Sequence, residues 1–128
     1  MKISIVGAGN VGGVAALRIA QDDLGDVYLV DVVPGLAKAK AYDLDDCRQM
    51  CRSDYRIFGS EDLAQVAGSD IVVITAGLAR KPGMTREDLL KKNAAIMRSV
   101  CSVVKEKAGQ AIVIVVTNPL DVMTMCAL

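Results

Sequence analysis

The sequence predicts an α/β fold, a doubly wound parallel sheet, on three observations. Short apolar runs alternate with longer stretches of helical periodicity, the order produced when each strand is followed by a crossover helix. The apolar runs are nearly unbroken and rich in Val and Ile, as strands covered on both faces require. Hydrophobic residues make up 52% of the 128 but aromatic residues only 3%, so the core must be aliphatic. A chain of that length suits one domain with a core of its own.

Taken in order, the predicted strands cover residues 2–6, 26–30, 56–58, 71–75 and 111–116, and the predicted helices 11–21, 36–50, 61–67, 86–107 and 120–127. Ser60, ahead of Glu61-Asp62-Leu63, is placed to cap the third helix, and Gly68 follows its last turn. Pro82-Gly83 interrupts the chain before Thr85, which forms a capping-box pattern with Asp88, Asp standing in for Glu. Downstream, Leu90, Ala94, Met97, Cys101 and Val104 recur at three- and four-residue steps, giving one buried helix face. No internal repeat, linker or low-complexity stretch interrupts the pattern.

Fifteen basic and fifteen acidic residues cancel, which argues against a surface for nucleic acid. The longest apolar run, 111–116, is far too short to span a membrane. Met1-Lys2 leads directly into the first strand, so no signal peptide is expected and a cytoplasmic location follows. Cys47 and Cys51 share a helix face, but with Cys101 and Cys126 distant in sequence and no histidine present, the expectation is reduced thiols and no metal site. The missing histidine also removes the side chain best suited to proton transfer near neutral pH.

Gly7-Ala8-Gly9-Asn10-Val11-Gly12 lies between the first strand and the first helix, the context that a Gly-x-Gly-x-x-Gly motif needs to bind a dinucleotide. Gly7 permits a tight turn, Gly9 lets the backbone approach a pyrophosphate, and Gly12 lets helix and strand pack closely. The helix N-terminus then presents amides to the phosphates. Asp31 ends the second strand, 24 positions after Gly7, where a carboxylate accepts from the two adenosine ribose hydroxyls and repels a 2′-phosphate. This favours NAD over NADP; FAD shares the glycine fingerprint, so the loop alone leaves that alternative open.

The connection from Ala76 to Thr85 carries Arg80, Lys81, Pro82 and Gly83 at the carboxyl end of a strand, where it can cover a ligand. The stretch Arg80-Lys81-Pro82-Gly83-Met84-Thr85-Arg86, with Gly7 to Gly12, Asp31 and Val116-Thr117-Asn118-Pro119, resembles the lactate/malate dehydrogenase superfamily. Within it, the chain is most similar to the lactate-dehydrogenase-like branch of bacterial malate dehydrogenases, from end to end. The resemblance implies a Rossmann sheet of strand order 3-2-1-4-5, NAD as cofactor, and reversible hydride transfer between malate and NAD giving oxaloacetate and NADH, a step of the tricarboxylic acid cycle. It implies that Arg80 pairs bidentately with the distal carboxylate, and that Arg86 polarises the carbonyl receiving hydride. Asn118 is implied to contact substrate and nicotinamide, while Gly7, Ala8, Gly9, Asn10, Val11, Gly12, Asp31, Asn93, Val116 and Thr117 line the cofactor. For Asn93, a plain hydrogen-bonding role on the buried helix stripe remains open. The family's Asn-Pro bond is cis, which sets the same expectation for Asn118–Pro119.

One position departs from the family: Ala39 stands where the helix of residues 36–50 often has a second glycine. That helix commonly joins a dimer interface, so a homo-oligomer with altered contact detail is expected. The family's catalytic histidine, the aspartate that orients it, a third arginine and a sixth strand all follow the Asn-Pro turn. The expectation is therefore that residues 1–128 form the NAD-binding domain without the catalytic one, inactive alone, part of a longer malate dehydrogenase. The alternatives are a stand-alone dinucleotide-binding module without catalysis, or a relative of L-lactate dehydrogenase.

Overall fold

The computed structural model describes residues 1–48, 54–80 and 82–128. Strands β1 (Lys2–Val6), β2 (Asp26–Val30), β3 (Ile57–Ser60), β4 (Ile71–Ile74) and β5 (Ile112–Val115) form one sheet in the order β3-β2-β1-β4-β5. Every neighbouring pair is parallel, as the alternation of strands and helices predicts.

Side chains alternate across the sheet and feed two cores. Ile3, Ile5, Val27, Leu29 and Ile57 meet helices α1 (Asn10–Gln21) and α2 (Leu36–Asp46) through Ala16, Ala20, Ala37 and Ala41. Val6, Val72 and Ile74 point the other way, against α3 (Arg86–Lys107) and α4 (Leu120–Ala127) through Met97, Val100, Val104 and Met123. The alanines on α1 and α2 bring those helices close to the sheet. Met97 and Met123 are fully buried, each contributing about 1.5–3 kcal/mol by its removal from water. The predicted stripe on α3 belongs to this second core, with Leu90, Ala94 and Cys101 partly covered and Met97 and Val104 buried.

Three elements differ by more than one residue at an end from the sequence-based expectation. The third strand runs through Gly59 to Ser60 instead of ending at Phe58. Gly59 stays in the strand because α2 crosses directly over it, and a Cβ there would strike the backbone of Ala37 and Lys38. The helix expected over 61–67 is a single 3-10 turn, Leu63–Val66. Its cap is Asp62, whose Oδ1 accepts from Ala64 N at 2.9 Å, whereas Ser60 Oγ only accepts from Asp62 N at 3.0 Å. The start is thereby delayed, and Gly68 at φ +68° closes the segment before an α-helical turn can develop. The helix expected over 36–50 is described from Leu36 to Asp46, with Cys47 in a turn. Residues 49–53, including Cys51, and Lys81 lie outside the described residues.

The capping box at α3 forms as read. Thr85 Oγ1 accepts from Asp88 N at 3.0 Å, and Asp88 Oδ2 accepts from Thr85 N at 3.1 Å. The hydroxyl and amide of Thr85 hold the Asp88 carboxyl below the usual aspartate range. Among the described residues, Cys47, Cys101 and Cys126 are free thiols, and burial pushes the Cys101 thiol up. No helix among them is long and apolar enough to cross a membrane, and no cluster of three or more His, Cys, Asp or Glu side chains could hold a metal ion.

Candidate functional site

The glycine loop leaves β1 at its carboxyl end, between the ends of β2 and β4. Gly7 adopts φ +109°, and a Cβ there would lie 2.6 Å from Thr75 Oγ1 and 2.7 Å from Ala76 N. At Gly12 a Cβ would collide with Gly7 O, so the first turn of α1 rests directly on the loop. Gly9 is different, with nothing within 4 Å of its Cβ position. It is also the N-cap of α1, and no side chain caps that end. An uncapped helix N-terminus beside open space is the arrangement that accepts an anion, so these residues fit a pyrophosphate.

Asp31 docks onto this loop. Its Oδ2 accepts from Ala8 N at 2.6 Å and its Oδ1 from Val33 N at 2.9 Å. A carboxylate oxygen has two lone pairs, so each retains capacity for a further donor such as a ribose hydroxyl. Beyond it, Glu61 accepts from Gly35 N at 3.0 Å and pairs with Lys38 at 3.6 Å. The Gly35 amide, then Lys38, hold the Glu61 carboxyl below its usual range.

A second group of contacts joins the base of the arginine loop to the Asn-Pro turn. Thr117 Oγ1 donates to Ala76 O at 2.8 Å, and Asn93 Oδ1 accepts from Leu78 N at 2.8 Å. Asn93 Nδ2 donates to Asn118 O at 3.0 Å and lies 3.4 Å from Leu78 O. Asn93 is only 2% exposed, so this amide clamps the two segments together. The Asn118–Pro119 bond is cis, and Asn118 and Val116 are exposed at the same strand end. Arg80 Nε donates to Met84 O at 3.1 Å, a bond internal to the loop, and Arg86 is the exposed first residue of α3. A cation at a helix N-terminus opposes the helix dipole by about 0.3–1 kcal/mol, so Arg86 is poorly explained by local stability.

The glycine loop and Asp31 thus form one cluster, and Asn93, Thr117 and Asn118 form a second. Among the described residues, neither arginine hydrogen-bonds to either cluster. Two residues escaped the sequence reading. Thr75 Oγ1 donates to Gly7 O at 2.9 Å, and Lys40 Nζ donates to Gly9 O at 2.9 Å. Their partners are 68 and 31 residues away, beyond the reach of any local pattern.

The family description "lactate/malate dehydrogenase, NAD binding domain" matches residues 1–128. The chain belongs to this family. It is 52% identical over 128 residues to a malate dehydrogenase of Chlorobium luteolum, covering 99% of this chain and 41% of that protein. The malate dehydrogenase of Picrophilus torridus superposes with a TM-score of 0.92 at 44% identity, over 98% of this chain and 41% of the other. That of Archaeoglobus fulgidus, solved in complex with NADH, gives 0.94 at 42% identity, over 99% and 44%. The chain therefore spans about 41% of the length of the curated relative it matches, and the family membership bears on a domain of 128 residues.

Proposed function

We propose that this chain is the cofactor-binding domain of an NAD-dependent malate dehydrogenase, and that it carries the residues selecting the substrate. The observation that supports this best is the conjunction at one sheet end. An uncapped glycine-loop helix, a carboxylate docked on that loop and a loop bearing two arginines all arise from the carboxyl ends of β1, β2 and β4.

In this reading the amides from Ala8 to Gly12 hold the pyrophosphate, and Asp31 accepts from the adenosine ribose and disfavours a 2′-phosphate. Val116, Thr117 and Asn118 flank the nicotinamide, and NAD supplies the hydride acceptor when bound. Asn93 supports the cofactor side by holding Asn118 O in place. Arg80 pairs with the distal carboxylate of malate or oxaloacetate, and Arg86 stabilises charge developing on the carbonyl oxygen. A loop folding over these groups excludes water and strengthens both contacts. The chain has no histidine, so the proton exchange belongs to residues beyond these 128. The reading extends to a cytoplasmic enzyme of the tricarboxylic acid cycle. It also extends to a homo-oligomer, which the exposed Val11, Val14 and Tyr42 on α1 and α2 support.

The test is Arg80→Gln in the intact protein, with oxaloacetate and pyruvate as competing substrates. Losing a bidentate charged pair should lower kcat/KM for oxaloacetate by about a hundredfold while leaving pyruvate use nearly unchanged. Equal losses on both substrates would remove Arg80 from the specificity role.

A further inference from the structure

We propose that Lys40 is a positioning residue for the phosphate loop: from α2 it fixes the Gly9–Asn10 peptide so that the Asn10 amide is aimed at the pyrophosphate. Lys40 Nζ donates to Gly9 O at 2.9 Å, and the same carbonyl accepts the first helical bond, from Gly13 N, at 2.9 Å. A trans peptide is planar, and its C=O and N–H point in opposite directions. Two donors holding the Gly9 carbonyl toward α2 and the α1 interior therefore turn the Asn10 N–H the other way, into the open space beside Gly9. The ammonium also polarises that peptide, which makes its N–H a stronger donor to an anion. Lys40 acts from behind the peptide and does not itself touch the ligand.

A second observation independently points to this contact. Gly13 lies inside α1, where glycine is less favourable than alanine. A Cβ at Gly13 would stand 2.9 Å from Lys40 Nζ and 3.3 Å from its Cδ. The glycine keeps a slot open for the lysine side chain, and helix α1 forgoes a better helix former to do so. Gly12, its neighbour, is explained by the loop; at Gly13 the nearest atoms to a Cβ all belong to Lys40.

The inference rests on the dinucleotide reading, and the test separates the two. ADP-ribose affinity and thermal unfolding are measured on the intact protein for wild type, Lys40→Met, Lys40→Arg and Gly13→Ala. Lys40→Met should raise the dissociation constant about tenfold, and Lys40→Arg should recover part of the loss by restoring a donor. Gly13→Ala should raise it as well, by displacing the ammonium, while the melting temperature holds or rises because alanine favours the helix. A merely structural contact would not lower affinity while stability is kept. An unchanged dissociation constant in Lys40→Met or in Gly13→Ala overturns the proposal. Failure of the wild type to bind ADP-ribose would instead overturn the dinucleotide reading.

Discussion

Replacing Asn93 by Asp changes no volume and reverses one half of a buried amide. The retained Oδ1 can still accept from Leu78 N, now 2.8 Å away. The new oxygen replaces Nδ2, which donates to Asn118 O at 3.0 Å and faces Leu78 O at 3.4 Å, so an acceptor would confront two acceptors. Loss of the good hydrogen bond costs about 1 kcal/mol. Burial and the two carbonyls raise the carboxyl above its unfolded value of about 3.9, and a rise of about two pH units costs a further ~3 kcal/mol once the group is ionised. The sign is fixed by linkage: a carboxyl raised in the folded state favours folding when protonated, so the penalty grows as pH climbs from about 4 to about 6 and is then constant. Urea unfolding at pH 5 and pH 8 should show the variant destabilised by about 4 kcal/mol at pH 8, and by about 1.5 kcal/mol less at pH 5. A deficit under about 1 kcal/mol at pH 8, or one equal at both pH values, would refute the clamp.

Two glycines of one motif should separate by assay. Gly12→Ala drives a methyl into Gly7 O and should lower stability by about 1–3 kcal/mol. Gly9→Ala, which meets no atom within 4 Å, should leave thermal unfolding within about 0.5 kcal/mol of wild type yet weaken NADH binding measured by cofactor fluorescence; equal stability losses would contradict the distinction. At the start of α3, the lowered Asp88 carboxyl contributes stability above its unfolded value of about 3.9, and that contribution is lost as pH falls through the folded value. Thr85→Ala should therefore lower the melting temperature by a few degrees at pH 7, with a gap that narrows below pH 4, and a gap independent of pH would count against the cap.

The parallel strand–helix alternation and the glycine loop were readable because both depend on local signals: apolar runs of strand length, and a motif whose flanking elements are visible beside it; the strand order came only with the family resemblance. The capping box was equally local, since Thr85 and Asp88 are three residues apart. What failed was decided by contacts across the fold. The third strand was expected to end at Phe58, yet it continues through Gly59, where α2 lying over it requires glycine. Glu61 to Ala67 read as a helix, but its carboxylate is recruited by Gly35 and Lys38, and Asp62 becomes the cap of a shorter turn. The two arginines stand out in sequence, whereas the groups that hold the site in shape do not. Thr75 and Lys40, which the sequence did not single out, each act through a backbone atom distant along the chain, and the contacts by which Asn93 and Thr117 hold Leu78, Asn118 and Ala76 were not visible in it either. Asn93 shows the limit most clearly, because an apolar helix stripe with one amide fits ligand binding and internal bonding equally well until Leu78 and Asn118 are seen beside it.

The placement of Asp31 constrains how such a domain can be re-engineered or diversified. Its carboxylate discriminates between cofactors in the proposed function, and it also ties Ala8 N to the end of β2 at 2.6 Å. A neutral, shorter side chain introduced to admit a 2′-phosphate would release that amide together with the Val33 turn. In the proposed function, loop order and cofactor preference are thus coupled in one residue. On that reading, a change of preference calls for paired substitutions, the second supplying a new acceptor for Ala8, and a single replacement at Asp31 is expected to yield a less selective binder before a reselected one.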